Sequence, residues 1–114
     1  MKYMLLIHQG TALDGWESFS QEKQNEISAG YRAINETPGL TPGIQMQSPE
    51  TATTVTVKDG ETLVVDGPFA ETKEALGGYC FYEADDLEAA VALAARIPAA
   101  RFGGAVEVRA LIER

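Results

Sequence analysis

The densest run of chemically capable side chains lies between Asp66 and Tyr79, in the segment DGPFAETKEALGGY. Asp66, Glu71 and Glu74 supply carboxylates and Lys73 an ammonium, all close in sequence to Phe69. An ammonium can hold an anionic substrate and keep a neighbouring acid ionised, while a sheltered carboxylate can take a proton. Glu71 and Lys73 read either as such a site pair or as an ion pair that pins the loop. Asp66 stands at a strand end before Gly67-Pro68. It can orient an imidazole or accept from a substrate hydroxyl, or it can bond the backbone N–H groups of its own turn. The sole histidine, His8, closes the first strand. Imidazole suits acid–base work near neutral pH, but a lone histidine without a partner is equally a hydrogen-bonded, inert strand-end residue.

The candidate catalytic groups are therefore Glu71, Asp66 and His8, and the candidate substrate contacts are Lys73, Phe69 and Tyr79. Phe69 also reads as the apolar anchor of its loop, and Trp16, Tyr79, Phe81 and Tyr82 read as core or interface as readily as an aromatic-lined pocket. Cys80 falls inside a strand, where a buried thiol is inert. Asp66, Glu71, Glu74 and His8 show no recognised metal-ligand spacing. The chain also lacks a G-x-G-x-x-G, a P-loop and a nucleophile elbow, so no metal and no nucleotide cofactor are expected.

Composition narrows the partners. The 114 residues predict a single domain spanning 1–114, with 45% hydrophobic and 23% charged side chains. Nine Lys+Arg against seventeen Asp+Glu give a net charge of −8, which argues against nucleic acid and anionic membranes. A single cysteine excludes an internal disulfide and suits the cytoplasm. The apolar run from Tyr3 to Ile7 is too short for a signal peptide or a membrane span.

Several elements must position these groups. Residues 2–8 read as a central strand, apolar on both faces. Two capping signals, Asp14-x-x-Glu17 and Ser18-x-x-Gln21, open a helix whose stripe is Ile27, Tyr31 and Ile34 and which stops at Pro38-Gly39. A short strand is expected at 44–47. Thr53–Lys58, Asp59-Gly60 and Glu61–Asp66 form a two-residue hairpin with Lys58 opposite Glu61 and Val55 opposite Val64. A strand at 79–84 leads through Asp85-x-x-Glu88 into a helix with Leu87, Ala90, Val91, Ala94 and Ile97 inward and Pro98 at its end. Ala105 to Ile112 alternates as a last strand. Without the hairpin the order is βαββαβ, an α+β ferredoxin-like plait with both helices on one sheet face. The bare face carries too much apolar surface for a soluble monomer, so a homodimer closing sheet on sheet is expected.

The run from Asp66 to Tyr79, the opening MKYMLLI, the hairpin strand ATTV from Ala52, the helix start DLEAA from Asp86 and the strand VEVR from Val106 resemble the DGPF branch of the YCII-related domain proteins over essentially the whole chain. The resemblance implies a ferredoxin-like domain that dimerises through its sheets as a dimeric α+β barrel, with a cleft beside the interface. Many members of that branch are encoded near sigma-factor-type regulators. The wider group includes small enzymes relying on a His/Asp pair, among them a dechlorinase of a hydroxylated aromatic. Its acidic position corresponds here to Glu71, while the first-helix histidine of that group has no counterpart.

Two function classes follow. One is a homodimer binding a small polar or aromatic molecule, with proton transfer by Glu71 or Asp66, His8 as a second acid–base group and Lys73 as anchor. The other is a non-catalytic accessory module whose partner is a protein regulator of transcription.

Overall fold

The computed structural model describes residues 1–68 and 76–113. Among them are strands β1 (Lys2–His8), β2 (Leu40–Gln45), β3 (Thr53–Lys58), β4 (Glu61–Asp66), β5 (Leu76–Glu83) and β6 (Ala105–Ala110). The helices are α1 (Gln21–Asn35), α2 (Leu87–Ala94) and the single turn α3 (Pro98–Arg101). β2, β5, β1 and β6 form one antiparallel sheet in that order, and β3 with β4 forms a separate hairpin. The fold is mixed α+β.

β1 is the centre, as its two-faced apolar pattern requires. Tyr3, Leu5 and Ile7 are buried on the helix-covered face, and Cys80 of β5 and Val108 of β6 sit opposite Leu5. Ile34 from α1, Leu93 from α2 and Ile97 close this core, with Leu5 and Ile97 fully buried. The alternation puts Met4, Leu6 and His8 on the other face, beside Tyr79 and Phe81 of β5 and Glu107 and Arg109 of β6.

The hairpin follows its sequence signal. Asp59 and Gly60 both take positive φ, 53° and 76°, and the register pairs Lys58 with Glu61 and Val55 with Val64. One hairpin face leaves Val55, Val57 and Val64 exposed at 58%, 67% and 61%. The radius of gyration, 16.2 Å, exceeds the roughly 13 Å of a compact chain of this length, consistent with an arm standing off the body.

Element boundaries differ from expectation in several places, among them the last strand, which ends at Ala110 rather than Ile112 and leaves Ile112 exposed. Neither anticipated signal caps α1: Ser20 does, accepting from the Lys23 N–H at 3.1 Å, while Trp16–Ser18 form a 3₁₀ turn ahead of it. β2 starts at Leu40 rather than Ile44, with a register break between Thr41 and Ile44 that accommodates Pro42 and Gly43. β5 starts at Leu76 rather than Tyr79, because Gly78 pairs with Ile7 of β1 and Gln45 of β2 and Leu76 pairs with His8, leaving Gly77 as the extra residue at a register shift. Asp86, rather than Asp85, caps α2 by accepting from the Ala89 N–H at 2.8 Å, and Pro98 opens α3 after α2 has ended at Ala94.

Candidate functional site

A cavity of about 760 Å³ opens between α1 and the helix-covered face of the sheet. That volume lies in the range of small-molecule pockets. Its apolar wall comes from Ile7, Ile27, Ile34, Cys80 and Ile97, all buried, with Leu13 and Trp16 contributed by the turn before α1. Helical spacing brings Ile27, Tyr31 and Ile34 to one face of α1, so the stripe that packs the core also walls the cavity. Ser28, Arg32 and Asn35 of the same helix and its C-cap Glu36 line it as well, all from exposed positions.

The polar centre of the wall is Gln9. It follows β1 by one residue, and continued alternation brings it to the face of Ile7. Its Nε2 donates to the Tyr31 hydroxyl at 3.4 Å. Its Oε1 is shielded from solvent and has no hydrogen-bond partner among the described residues. Gly77 makes room for this side chain: a Cβ there would stand 2.6 Å from Gln9 Cγ. Gly78 allows β2 to approach, since its Cβ would meet the Ile44 carbonyl oxygen at 2.8 Å. The Gly77-Gly78 pair thus shapes one wall as strand residues rather than as a flexible loop end.

Among the described residues, no charged side chain lines the buried part of the cavity. Cys80 is only 2% exposed, and burial pushes its thiol up to about 11, so it stays protonated and acts as wall. The charged lining groups, Arg32 and Glu36, sit at the exposed side of α1. Asn35 Oδ1 is already engaged, accepting from the Gly43 N–H at 3.1 Å.

Of the residues singled out from sequence, His8 and Tyr79 share the open face of the sheet, away from the cavity. His8 Nε2 lies 3.3 Å from Glu107 Oε1, and Arg109 Nε lies 3.9 Å from Glu107 Oε2. Tyr79 packs edge-on against Phe81, with ring centroids 6.0 Å apart. Asp66 ends β4 opposite Thr53 and is exposed, and the next N–H, that of Gly67, donates to the Ala52 carbonyl at 2.7 Å. Phe69, Glu71, Lys73 and Glu74 lie outside the described residues. Among the described residues no cluster of three His, Cys, Asp or Glu could hold a metal ion, and no helix is long and apolar enough to cross a membrane.

Gln9 and Tyr31 are the site residues that sequence reasoning missed. Tyr31 is legible as part of the α1 stripe, but Gln9 acquires its neighbours only when α1 folds back over β1.

A family model described as the YCII-related domain matches residues 1–114. The chain belongs to the YCII-related domain family. A relative from Rhizobium meliloti (strain 1021), an uncharacterized protein, is 32% identical over 114 residues, covering 97% of this chain and 92% of the relative. In this YCII-related domain the cavity and the open sheet face lie on opposite sides of β1.

Proposed function

We propose that this YCII-related domain, of the DGPF branch and ferredoxin-like in its four-stranded sheet, is a cytoplasmic single-domain homodimer that binds a small, largely apolar or aromatic molecule. The observation that carries this reading is the cavity beneath α1, with its apolar wall and one unsatisfied buried amide. Pockets of this size, mostly apolar with a few convergent polar groups, are the usual architecture of ligand sites. Pairing through the open sheet face accounts for Met4, Leu6, Tyr79 and Phe81 beside the 51% exposed Ile44. In this arrangement His8 and Tyr79 serve the interface. Proton transfer, where it occurs, falls to Glu71 and Asp66, with Lys73 as electrostatic anchor and Phe69 as an apolar contact.

Trp16 is the only tryptophan and lines the cavity, so its fluorescence reports occupancy directly. Native mass spectrometry of the purified protein should show a bound small molecule, and its removal should shift Trp16 emission. Glu71→Gln should keep the fold yet weaken binding or turnover. Leu6→Arg should yield monomers in sedimentation velocity. A ligand whose affinity ignores changes at Asp66, Glu71 and Lys73 would remove the acid–base part of the proposal, and a dimer unaffected by Leu6→Arg would remove the pairing.

One observation favours a second reading, a non-catalytic module serving a transcription regulator. No carboxylate or imidazole lines the buried part of the cavity among the described residues. Recovery of a regulator on the immobilised full chain, with the cavity empty and Trp16 unchanged, would favour it.

A further inference from the structure

Resting on the ligand-binding reading above, we infer that the Gln9–Tyr31 pair selects a ligand whose buried end is an uncharged group that both donates and accepts hydrogen bonds, such as a carboxamide or lactam on an aromatic or apolar body. Three observations converge. First, the carboxamide of Gln9 is only half satisfied: Nε2 bonds the Tyr31 hydroxyl at 3.4 Å, while Oε1 is buried and unpartnered among the described residues. Exchanging the amide's nitrogen and oxygen does not cure this, because the atom then placed at the buried position is an unpaired N–H₂. Second, Gln9 lines the cavity and the terminal torsion of glutamine is broad, so Oε1 can turn toward a donor entering the cavity as Nε2 gives up its long bond to Tyr31. Third, among the described residues the buried part of the wall holds no charge. Ile7, Ile27, Ile34 and Ile97 are apolar, Cys80 keeps its proton, and Arg32 and Glu36 stand at the exposed rim.

The Tyr31 hydroxyl is a donor and Gln9 Oε1 an acceptor, so together they present the complement of an amide edge. A carboxylate in the same place would be acceptor-only and would bring an uncompensated charge against an unpaired carbonyl oxygen, which is costly in a neutral interior. Discrimination by such a site is asymmetric. Ligands lacking the matching group leave buried polar atoms unpaired and are rejected more strongly than those that differ only in apolar bulk.

The test compares 2-naphthamide with 2-naphthoate, which share one body and differ in head group. Binding to the full chain is followed by ligand-observed saturation-transfer NMR and by titration calorimetry at neutral pH, where the naphthoate is ionised. The amide is expected to bind at least roughly tenfold more tightly than the acid, and Gln9→Met to abolish most of that preference. Gln9→Met conserves length and volume, and its circular dichroism and melting curve establish that it folds. Binding of both compounds with equal strength, or an amide preference that survives Gln9→Met, would overturn the inference while leaving the cavity as a binding site. Failure of both compounds to bind or to perturb Trp16 would instead remove the ligand-binding reading on which the inference rests.

Discussion

Replacing Gln9 by methionine should make the protein more stable, and the expected size can be worked from the cavity wall. A buried carbonyl oxygen with no partner costs about 1–3 kcal/mol relative to its hydrated state in the unfolded chain. Gln9 Oε1 is in that condition among the described residues. The substitution removes this cost and also removes the bond from Nε2 to Tyr31, which at 3.4 Å is long and sits at the weak end of the ~0.5–1.5 kcal/mol range. Tyr31 is only partly buried, so its hydroxyl can recover water. Methionine has nearly the length of glutamine and fits beside Gly77 without new overlap. The balance is a gain of about 0.5–2 kcal/mol, which raises Tm by roughly 4 °C per kcal/mol for a domain of this size. Urea unfolding monitored by Trp16 emission and by circular dichroism measures it, with an unchanged m-value showing that stability alone has moved. Destabilisation by about 1 kcal/mol or more would refute the reasoning, because it would mean that Oε1 is satisfied in solution.

Other consequences are equally measurable. Gly104→Ala should be among the most damaging single changes, costing at least ~3 kcal/mol in urea unfolding, because its Cβ would overlap the backbone carbonyl oxygens of His8, Gln9 and Ala99 at once. Gly60→Ala meets nothing within 4 Å and should cost only the ~1–2 kcal/mol of a left-handed backbone, so equal losses at both positions would contradict the packing described. Asp86→Ala should lower stability by about 1 kcal/mol through loss of the cap on the Ala89 N–H, whereas Asp85→Ala should be close to neutral in the same assay. Burial raises the folded Cys80 thiol to about 11 from a usual 9.0, so the unfolded chain ionises first as pH rises. Its contribution is therefore intact below pH 9 and lost between pH 9 and about 11, amounting to roughly 2–3 kcal/mol. Cys80→Ala should flatten that alkaline slope in urea midpoints, and slopes identical to the parent chain would show that the thiol is not the cause.

The sheet, the hairpin and the existence of α1 and α2 were legible because each is specified locally, although on α2 the expected stripe members Leu87 and Val91 are exposed and Leu93 is buried instead. The Asp59-Gly60 turn fixes its own register, and the two-faced pattern of β1 permits only a central position. Boundaries were less legible wherever long-range pairing decides them. Gly77 and Gly78 permit a bulge by composition, but only the pairing of Gly78 with Ile7 and Gln45 and of Leu76 with His8 shows that the strand begins before them. Asp14, Ser18 and Ser20 compete on similar local terms to cap α1, as do Asp85 and Asp86 for α2, and it is Ser20 and Asp86 whose side chains accept the first-turn N–H groups. The same limit governed the site. Chemically conspicuous residues drew attention to the segment after Asp66, whereas Gln9 is inconspicuous in sequence and becomes unusual only through what surrounds it in three dimensions.

The acidity of the chain shows why local environment has to replace composition when a ligand is inferred. A net charge of −8 argues against polyanions, but it does not predict a cationic ligand. Asp59 and Glu61 stand at the exposed tip of the hairpin, with Glu61 opposite Lys58. Asp86 caps α2, and Glu83 accepts from the N-terminal ammonium at 2.7 Å, raising that amine above its ordinary value. None of these charges lines the cavity. Where a wall is apolar and neutral, the free energy of a polar contact depends on whether each donor meets an acceptor, and a long-range field from exposed carboxylates is screened within about 8–10 Å at ordinary salt. Among the described residues, the unmatched carbonyl of Gln9 therefore has more influence on what can bind under α1 than the exposed carboxylates of the hairpin tip, Glu83 and Asp86.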